Sequence, residues 1–177
     1  HSFPTRRSSD LGMLLSALSF LGLSMTDFST QQWQAWGLMT LLGFSAASAL
    51  LASTSAIMAA APKEKASAAG AIETMAYELG AGLGIALFGL ILTRSYSSAI
   101  ELPAGIGGEA AVQASSSIGE AMKVAQSLPA IPADSLIAAA KTAFISAHSI
   151  SLATAGVLLL LLALGIWRGL ANTPASR

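Results

Sequence analysis

Four apolar stretches, separated by polar segments, set the pattern of the chain. They lie at about residues 11–25, 37–61, 68–94 and 150–167. A helix needs about 20 apolar residues to cross a hydrocarbon core about 30 Å thick, and the first stretch is shorter than that. The pattern predicts an all-α membrane protein with four transmembrane helices.

A long polar segment separates the third apolar stretch from the fourth. Residues 95–149 are rich in Ser and Ala, carry scattered charge and contain prolines that predict breaks. Within them, residues 109–126 and 134–147 have helical patterns, the second opening on an Asp134-Ser135 cap. Connections of this length are uncommon unless they are structured or functional. We therefore expect a long, partly helical loop before the last helix.

The composition supports the membrane assignment and argues against several kinds of site. Of the 177 residues, 54% are hydrophobic and 10% are charged, whereas soluble domains carry about 25% charged residues. The formal net charge is zero, which gives no reason to expect a nucleic-acid partner. There are no cysteines and only two histidines, so we expect no disulfide, metal site or cofactor. No Ser/His/Asp arrangement stands out, and the protein is not expected to be an enzyme.

The first ten residues differ from those that follow. Residues 1–10 are mostly polar and give way abruptly to apolar sequence at Leu11. They resemble the in-frame translation of a common library adapter, so we interpret them as a non-native leader. The alternative is a basic cytoplasmic arm or the start of a signal peptide, although no small-residue cleavage site follows the apolar stretch.

Lysine and arginine residues set the expected orientation. Lys63 and Lys65 lie in the short turn between the second and third stretches, and Arg168 and Arg177 lie in the tail. Basic residues in short segments favour the cytoplasmic side, while long loops count weakly. We therefore expect the turn and the tail in the cytoplasm and residues 95–149 on the external side.

Two carboxylates lie inside the third apolar stretch. Glu78 is about 20 Å along the helix from Lys65, near the middle of the hydrocarbon core. A charge at that depth costs about 3 kcal/mol, so such residues usually face a bundle interior or a wet cavity. Glu73 is shallower and about 140° away around the helix, which argues against a paired-carboxylate site. Tyr77, one turn above Glu73, can bond that carboxylate or stack on an aromatic cation; core packing is the alternative.

Gly80 and Gly84 form a GxxxG spacing in the same stretch. In a membrane helix this spacing lets a neighbouring backbone approach closely. It is not a phosphate loop, because no strand precedes it and no Lys-Ser/Thr pair follows it. We expect these glycines to serve helix packing, with flexing of the helix during transport as the alternative.

The sequence AGAIETMAYELGAGLGIALFG at residues 69–89, followed by a large loop and one last span, resembles the C-terminal end of the major facilitator superfamily. The similarity is greatest to its fourteen-helix drug:proton antiporters, which export methyl viologen and quaternary ammonium biocides. The four stretches would then be helices eleven to fourteen, and residues 11–177 the C-terminal part of a transporter domain. The resemblance implies a multi-pass protein of the bacterial inner membrane.

In that family an acidic residue of the penultimate helix is associated with cation recognition and proton coupling. Its Tyr-acid-Leu-Gly pattern matches residues 77–80, so the resemblance gives this role to Glu78, while Glu73 matches a second acidic position. The implied partners are lipophilic organic cations, protons, the lipid bilayer and the N-terminal helices of the same transporter. A carboxylate that binds either a proton or a cation makes their competition reciprocal, which is the basis of antiport.

A protein of a different class is also compatible with the residues. It is a non-transporting helical membrane scaffold or assembly subunit whose external loop is a binding module. In a transporter Glu78 faces a cavity that water can reach, whereas in a scaffold it is a structural acid bonded to a partner helix.

Overall fold

The computed structural model describes the backbone of residues 5–28 and 30–171 and the side chains of residues 11–28 and 30–168. Over this part of the chain every regular element is a helix. They are α1 (Thr5–Ser24), α2 (Gln32–Ala60), α3 (Ala66–Ala99), α4 (Gly108–Ser116), α5 (Ile118–Gln126) and α6 (Ala130–Ala171), with a 3₁₀ turn at Lys63–Lys65. Of the predicted leader, residues 1–4 lie outside the described part and residues 5–10 open α1. Arg177, used above for the orientation, also lies outside it.

Three segments of the described chain are long and apolar enough to cross a membrane. They are Gln32–Ala60, Lys63–Ala99 and Ala130–Arg168, while Leu11–Ser24 is a shorter apolar helix within α1. The predicted all-α membrane fold is confirmed. At about 1.5 Å per residue, α3 is about 50 Å long and α6 about 60 Å, so both exceed a hydrocarbon core of about 30 Å.

α6 runs without interruption through a stretch where two separate helices were predicted. The expected cap at Asp134-Ser135 is wrong, because the helix begins at Ala130 and Asp134 lies in its second turn. Pro132 does not break it: the first four N–H groups of a helix have no partner within the helix, so a proline there loses no hydrogen bond.

By its internal contacts the chain divides into two compact units. Unit 1 comprises His1–Gly82 and Leu152–Arg177, and unit 2 comprises Leu83–Ser151.

Small residues bring the helices of unit 1 together. A Cβ atom added to Gly12 of α1 would lie 3.0 Å from the carbonyl oxygen of Ser45 in α2. One turn further along, the hydroxyls of Ser16 and Ser45 are hydrogen-bonded at 2.8 Å. A Cβ atom added to Gly156 of α6 would lie 2.7 Å from Cγ of Leu21 in α1. These contacts leave no room for larger side chains, as expected where membrane helices pack closely.

Unit 2 has a hydrophobic core of its own. Its buried residues come from α3, α4, α5 and the first part of α6, and most are alanines. They are Tyr96, Ala114, Ala121, Val124, Ala125, Leu136, Ala140, Ala143 and Ala147. The last four recur at spacings of three and four residues and so form one face of α6. The segment predicted as a partly helical loop is therefore packed against the helices that flank it.

Side chains of α3 cap the end of α4. The last four carbonyl groups of a helix have no partner within it. The hydroxyl of Tyr96 donates to the carbonyl oxygen of Ala114 at 3.1 Å, and the hydroxyl of Ser97 donates to that of Ser115 at 2.6 Å. α4 can therefore end at Ser116 inside a packed unit without unpaired carbonyls at these two positions.

α5 begins immediately after α4, where a single helix over residues 109–126 was predicted. Ser117 interrupts the two helices with an extended backbone. Its side chain accepts a hydrogen bond from the backbone N–H of Glu120 at 3.2 Å. This is the geometry of a serine N-cap, which starts a new helix.

Candidate functional site

The site is built on the helical hairpin formed by α2 and α3. The two helices are joined by the short turn that includes Lys63–Lys65, and short connections make neighbouring helices antiparallel. Residues at equal distance from such a turn lie side by side. Accordingly, a Cβ atom added to Gly70 would meet Cε of Met58 at 3.4 Å. One turn deeper, the hydroxyl of Thr54 donates a hydrogen bond to Oε1 of Glu73.

A groove opens beside the Thr54–Glu73 contact. It has a volume of about 340 Å³ and is lined by Leu50, Thr54, Glu73, Thr74 and Tyr77. The hydroxyl of Thr74 is bonded to the carbonyl oxygen four residues earlier, at 3.0 Å. The groove therefore presents one carboxylate, one aromatic ring and an aliphatic wall, a combination suited to an organic cation.

The structure brings Tyr77 to the same groove as Glu73. Four residues apart, the two side chains lie on neighbouring turns of one helix face. Tyr77 is 59% exposed, and among the described residues no hydrogen bond joins its hydroxyl to Glu73. Its ring is thus free to contact a bound molecule.

Glu78 does not line this groove. It is exposed, and its position about 140° around the helix from Glu73 turns it towards a different side. No hydrogen bond or ion pair of Glu78 occurs with the described residues. Of the residues of α3, all of which are described, Tyr96 alone is buried. The described helices therefore supply no partner for Glu78, and its role in proton and cation binding stays a prediction.

Gly80 and Gly84 also contact none of the described residues. A Cβ atom added to either would meet nothing within 4 Å. Seven and eleven residues after Glu73, they fall within about 20° of it around the helix. Their predicted role in helix packing stays a prediction, and it requires a helix that the described part of the chain does not supply.

Sequence reasoning missed the contacts of α1 and the partner of Glu73. Gly12 and Ser16 have the small-xxx-small spacing that favours close helix packing, and that signal was present in the sequence. The pairing of Thr54 with Glu73 could be found only by counting an equal number of residues from the turn along both helices. That count depends on where the two helices end, which the sequence did not fix.

A second polar cleft lies in unit 2, between α4 and α5. It has a volume of about 350 Å³ and includes Glu109, Gln113, Glu120, Lys123 and Ser127. Lys123 forms an ion pair with Glu120 at 2.7 Å on the exposed surface. Among the described residues, no three His, Asp or Glu side chains are grouped so that they could hold a metal ion.

Comparison with known proteins identifies relatives along most of the chain. The chain is 69% identical over 161 residues to the methyl viologen resistance protein SmvA of Salmonella typhimurium. The aligned residues make up 91% of this chain and 32% of that protein. The chain is 41% identical over 108 residues to the multidrug efflux pump LfrA of Mycolicibacterium smegmatis, covering 61% of this chain and 21% of the pump. The tetracenomycin C resistance and export protein of Streptomyces glaucescens is 28% identical over 161 residues, 86% of this chain and 30% of that protein.

No family model and no solved structure matches the chain. The chain spans about a third of the length of the curated relatives it matches. These relatives, together with three helices long enough to cross a bilayer, assign it to a bacterial membrane. The resemblance drawn from residues 69–89 is confirmed by the relatives. The chain belongs to the major facilitator superfamily, and the relatives that it matches are resistance and efflux proteins.

Proposed function

We propose that the protein containing this chain is a proton-coupled antiporter that exports lipophilic organic cations, such as methyl viologen and quaternary ammonium biocides. The observation that carries the proposal is the 69% identity to a methyl viologen resistance protein. The carboxylates of α3 support it, because an acid is retained in a long apolar helix only where its cost is offset by a function or a partner.

In this proposal α3 carries the coupling. Glu78 binds a proton or a cation, and because the two compete, each weakens the binding of the other by the same factor. The exposed surface of α3 around Glu78, Gly80 and Gly84 is covered by the N-terminal helices of the same transporter. Transport follows alternating access, in which one helical half rocks against the other around a site near the middle of the bilayer.

The experiment uses a chimera in which this chain replaces the matching third of the Salmonella protein. The chimera and its Glu78→Gln variant are expressed at equal levels in cells that lack other efflux pumps. Export of a quaternary ammonium dye is measured with and without a protonophore. We expect proton-dependent export by the chimera and at least about a tenfold loss in Glu78→Gln, because the amide keeps the shape but cannot exchange a proton.

The matched control is Glu64→Gln, which removes a carboxylate from the 3₁₀ turn outside the apolar part of α3. It should export like the unsubstituted chimera. Equal export by Glu78→Gln would make Glu78 a structural acid and end its assignment to the coupled site. If the unsubstituted chimera exports none of the cations tested, the antiporter proposal fails and the scaffold alternative takes its place.

A further inference from the structure

We infer that Thr54 is a positioning residue that holds the Glu73 carboxylate in a cation-binding groove at the α2–α3 hairpin. The inference rests on the proposed export of organic cations, and it adds a residue of α2 to a site otherwise assigned to α3. Thr54 contributes its hydroxyl, which donates to Oε1 of Glu73. The expected ligand is a lipophilic organic cation that also contacts the ring of Tyr77.

The hydroxyl of Thr54 bonds differently from the hydroxyls of Thr40, Ser48 and Ser55 on the same helix. In a membrane helix, a Ser or Thr hydroxyl usually bonds a carbonyl oxygen of its own preceding turn. Thr40, Ser48 and Ser55 each donate to the carbonyl oxygen four residues earlier, at 2.8–2.9 Å. Thr54 donates across to the next helix instead. The local bond has been replaced by one that fixes an acidic side chain.

The geometry of the hairpin makes this contact specific to one level of the helices. On α2, Leu50, Thr54 and Met58 recur every four residues and so lie on one face. On α3, Glu73 bonds Thr54, Gly70 lies beside Met58, and Tyr77 lines the groove with Leu50. The Thr54–Glu73 bond lies one turn from the Met58–Gly70 contact, and at this level of the two helices a hydroxyl at position 54 reaches the carboxylate at position 73.

A carboxylate held in this way is already oriented to bind a cation. It accepts at two oxygens, and Thr54 occupies Oε1. Oε2 has no hydrogen-bond partner among the described residues, and Glu73 lines the groove with Leu50 and Tyr77. A glutamate fixed before binding loses less rotamer freedom when the ligand arrives, so preorganisation improves affinity more than turnover.

The test compares two substitutions of Thr54 in the chimera described above. Thr54→Val keeps the side-chain shape and removes the hydroxyl, whereas Thr54→Ser keeps the hydroxyl. Ser55→Ala is the matched control, since the hydroxyl of Ser55 donates to the carbonyl oxygen of Leu51 in its own helix. Initial rates of dye export are measured over a range of dye concentrations, and the amount of protein in the membrane is measured for each variant.

We expect Thr54→Val to raise the apparent KM for the dye about tenfold with little change in the maximal rate, as for the loss of one hydrogen bond to a charged group. Thr54→Ser should restore the KM to within about twofold, and Ser55→Ala should leave it unchanged. Unchanged kinetics in Thr54→Val would overturn the inference. So would a lower maximal rate with an unchanged KM, or a Thr54→Ser variant as impaired as Thr54→Val, because each would describe a structural residue.

Failure of the inference is distinguishable from failure of the proposed function. Export by the unsubstituted chimera together with normal Thr54→Val kinetics would overturn the role of Thr54 alone. No export by the unsubstituted chimera would overturn the proposed function, and this inference with it.

Discussion

At the scale of single residues, the two carboxylates of α3 lie in different surroundings. Glu73 is half-buried and bonded to Thr54 in a groove that also contains Tyr77. Glu78 is exposed on another side of the helix, with no bond to the described residues. A carboxylate fixed by a neighbour is suited to selecting a ligand, and one without a fixed partner is suited to exchanging a proton for a cation. We therefore expect the two acids to differ in role.

The hydroxyl of Tyr96 gives a prediction at this scale. Tyr96 is 2% exposed and bonds the buried carbonyl oxygen of Ala114. Tyr96→Phe keeps the ring but leaves that carbonyl without its partner, which should cost about 1–2 kcal/mol of stability. The measurement is the midpoint of thermal unfolding of the purified protein in detergent.

The control for Tyr96→Phe is Ser98→Ala. Ser98 is exposed, and its hydroxyl bonds the carbonyl oxygen of Ser95 in the same helix at 3.0 Å, so its loss should leave the midpoint nearly unchanged. Equal midpoints for the two variants would show that the bond to Ala114 does not stabilise unit 2.

At the scale of helices, close approach in unit 1 depends on residues without side chains. Gly156 lets α6 contact α1 so closely that a Cβ atom would lie 2.7 Å from Leu21 and 3.1 Å from the carbonyl oxygen of Ala17. On the same helix, a Cβ atom added to Gly165 would meet none of the described residues within 4 Å. The two glycines therefore separate the effect of packing from the effect of helix propensity.

We predict that Gly156→Ala destabilises the protein by about 1–3 kcal/mol, because the added methyl group forces α1 and α6 apart. Gly165→Ala should stabilise it slightly, since alanine favours a helix over glycine by about 1 kcal/mol. The stability of both variants is measured by thermal unfolding and by the yield of folded protein in the membrane. A stabilised Gly156→Ala variant would contradict the close contact of the two helices.

The same helices indicate what can be predicted from the sequence. The long apolar stretches and the two acidic residues within the third of them were evident, because length, hydrophobicity and charge are properties of single segments. The start of α6 could not be predicted, because Pro132 signals a break but is tolerated in the first turn of a helix. The contact between Thr54 and Glu73 could not be predicted either, because it depends on the register of two helices. The small-residue contacts of α1 likewise depend on which helix lies opposite.

At the scale of the whole molecule, the positions of Lys and Arg predict which side of the membrane each segment faces, whereas the helices alone do not. The turn with Lys63 and Lys65 is expected in the cytoplasm and residues 95–149 on the external side. This arrangement places the folded α4–α5 region on the outer face of the membrane that the protein crosses. It also makes Thr54 and Glu73 a site near the cytoplasmic end of the hairpin.

Single cysteines test that orientation, since this chain contains none of its own. In a cysteine-free chimera, Gln113→Cys in α4 should react in intact cells with a maleimide that cannot cross membranes. Glu64→Cys in the 3₁₀ turn should react only after the cells are permeabilised. The reverse pattern of labelling would show that the protein is inserted the other way, with the basic turn outside.

The bond between Thr54 and Glu73 also bears on how the protein is made. The helices that share it are joined by a few residues, so they leave the ribosome almost together and can enter the lipid as a pair. Glu73 then enters hydrocarbon with one oxygen already bonded, while Glu78 enters with none from this hairpin. Insertion of α3 is therefore eased by its predecessor at the shallow acid, whereas this hairpin offers no such bond to the deep acid.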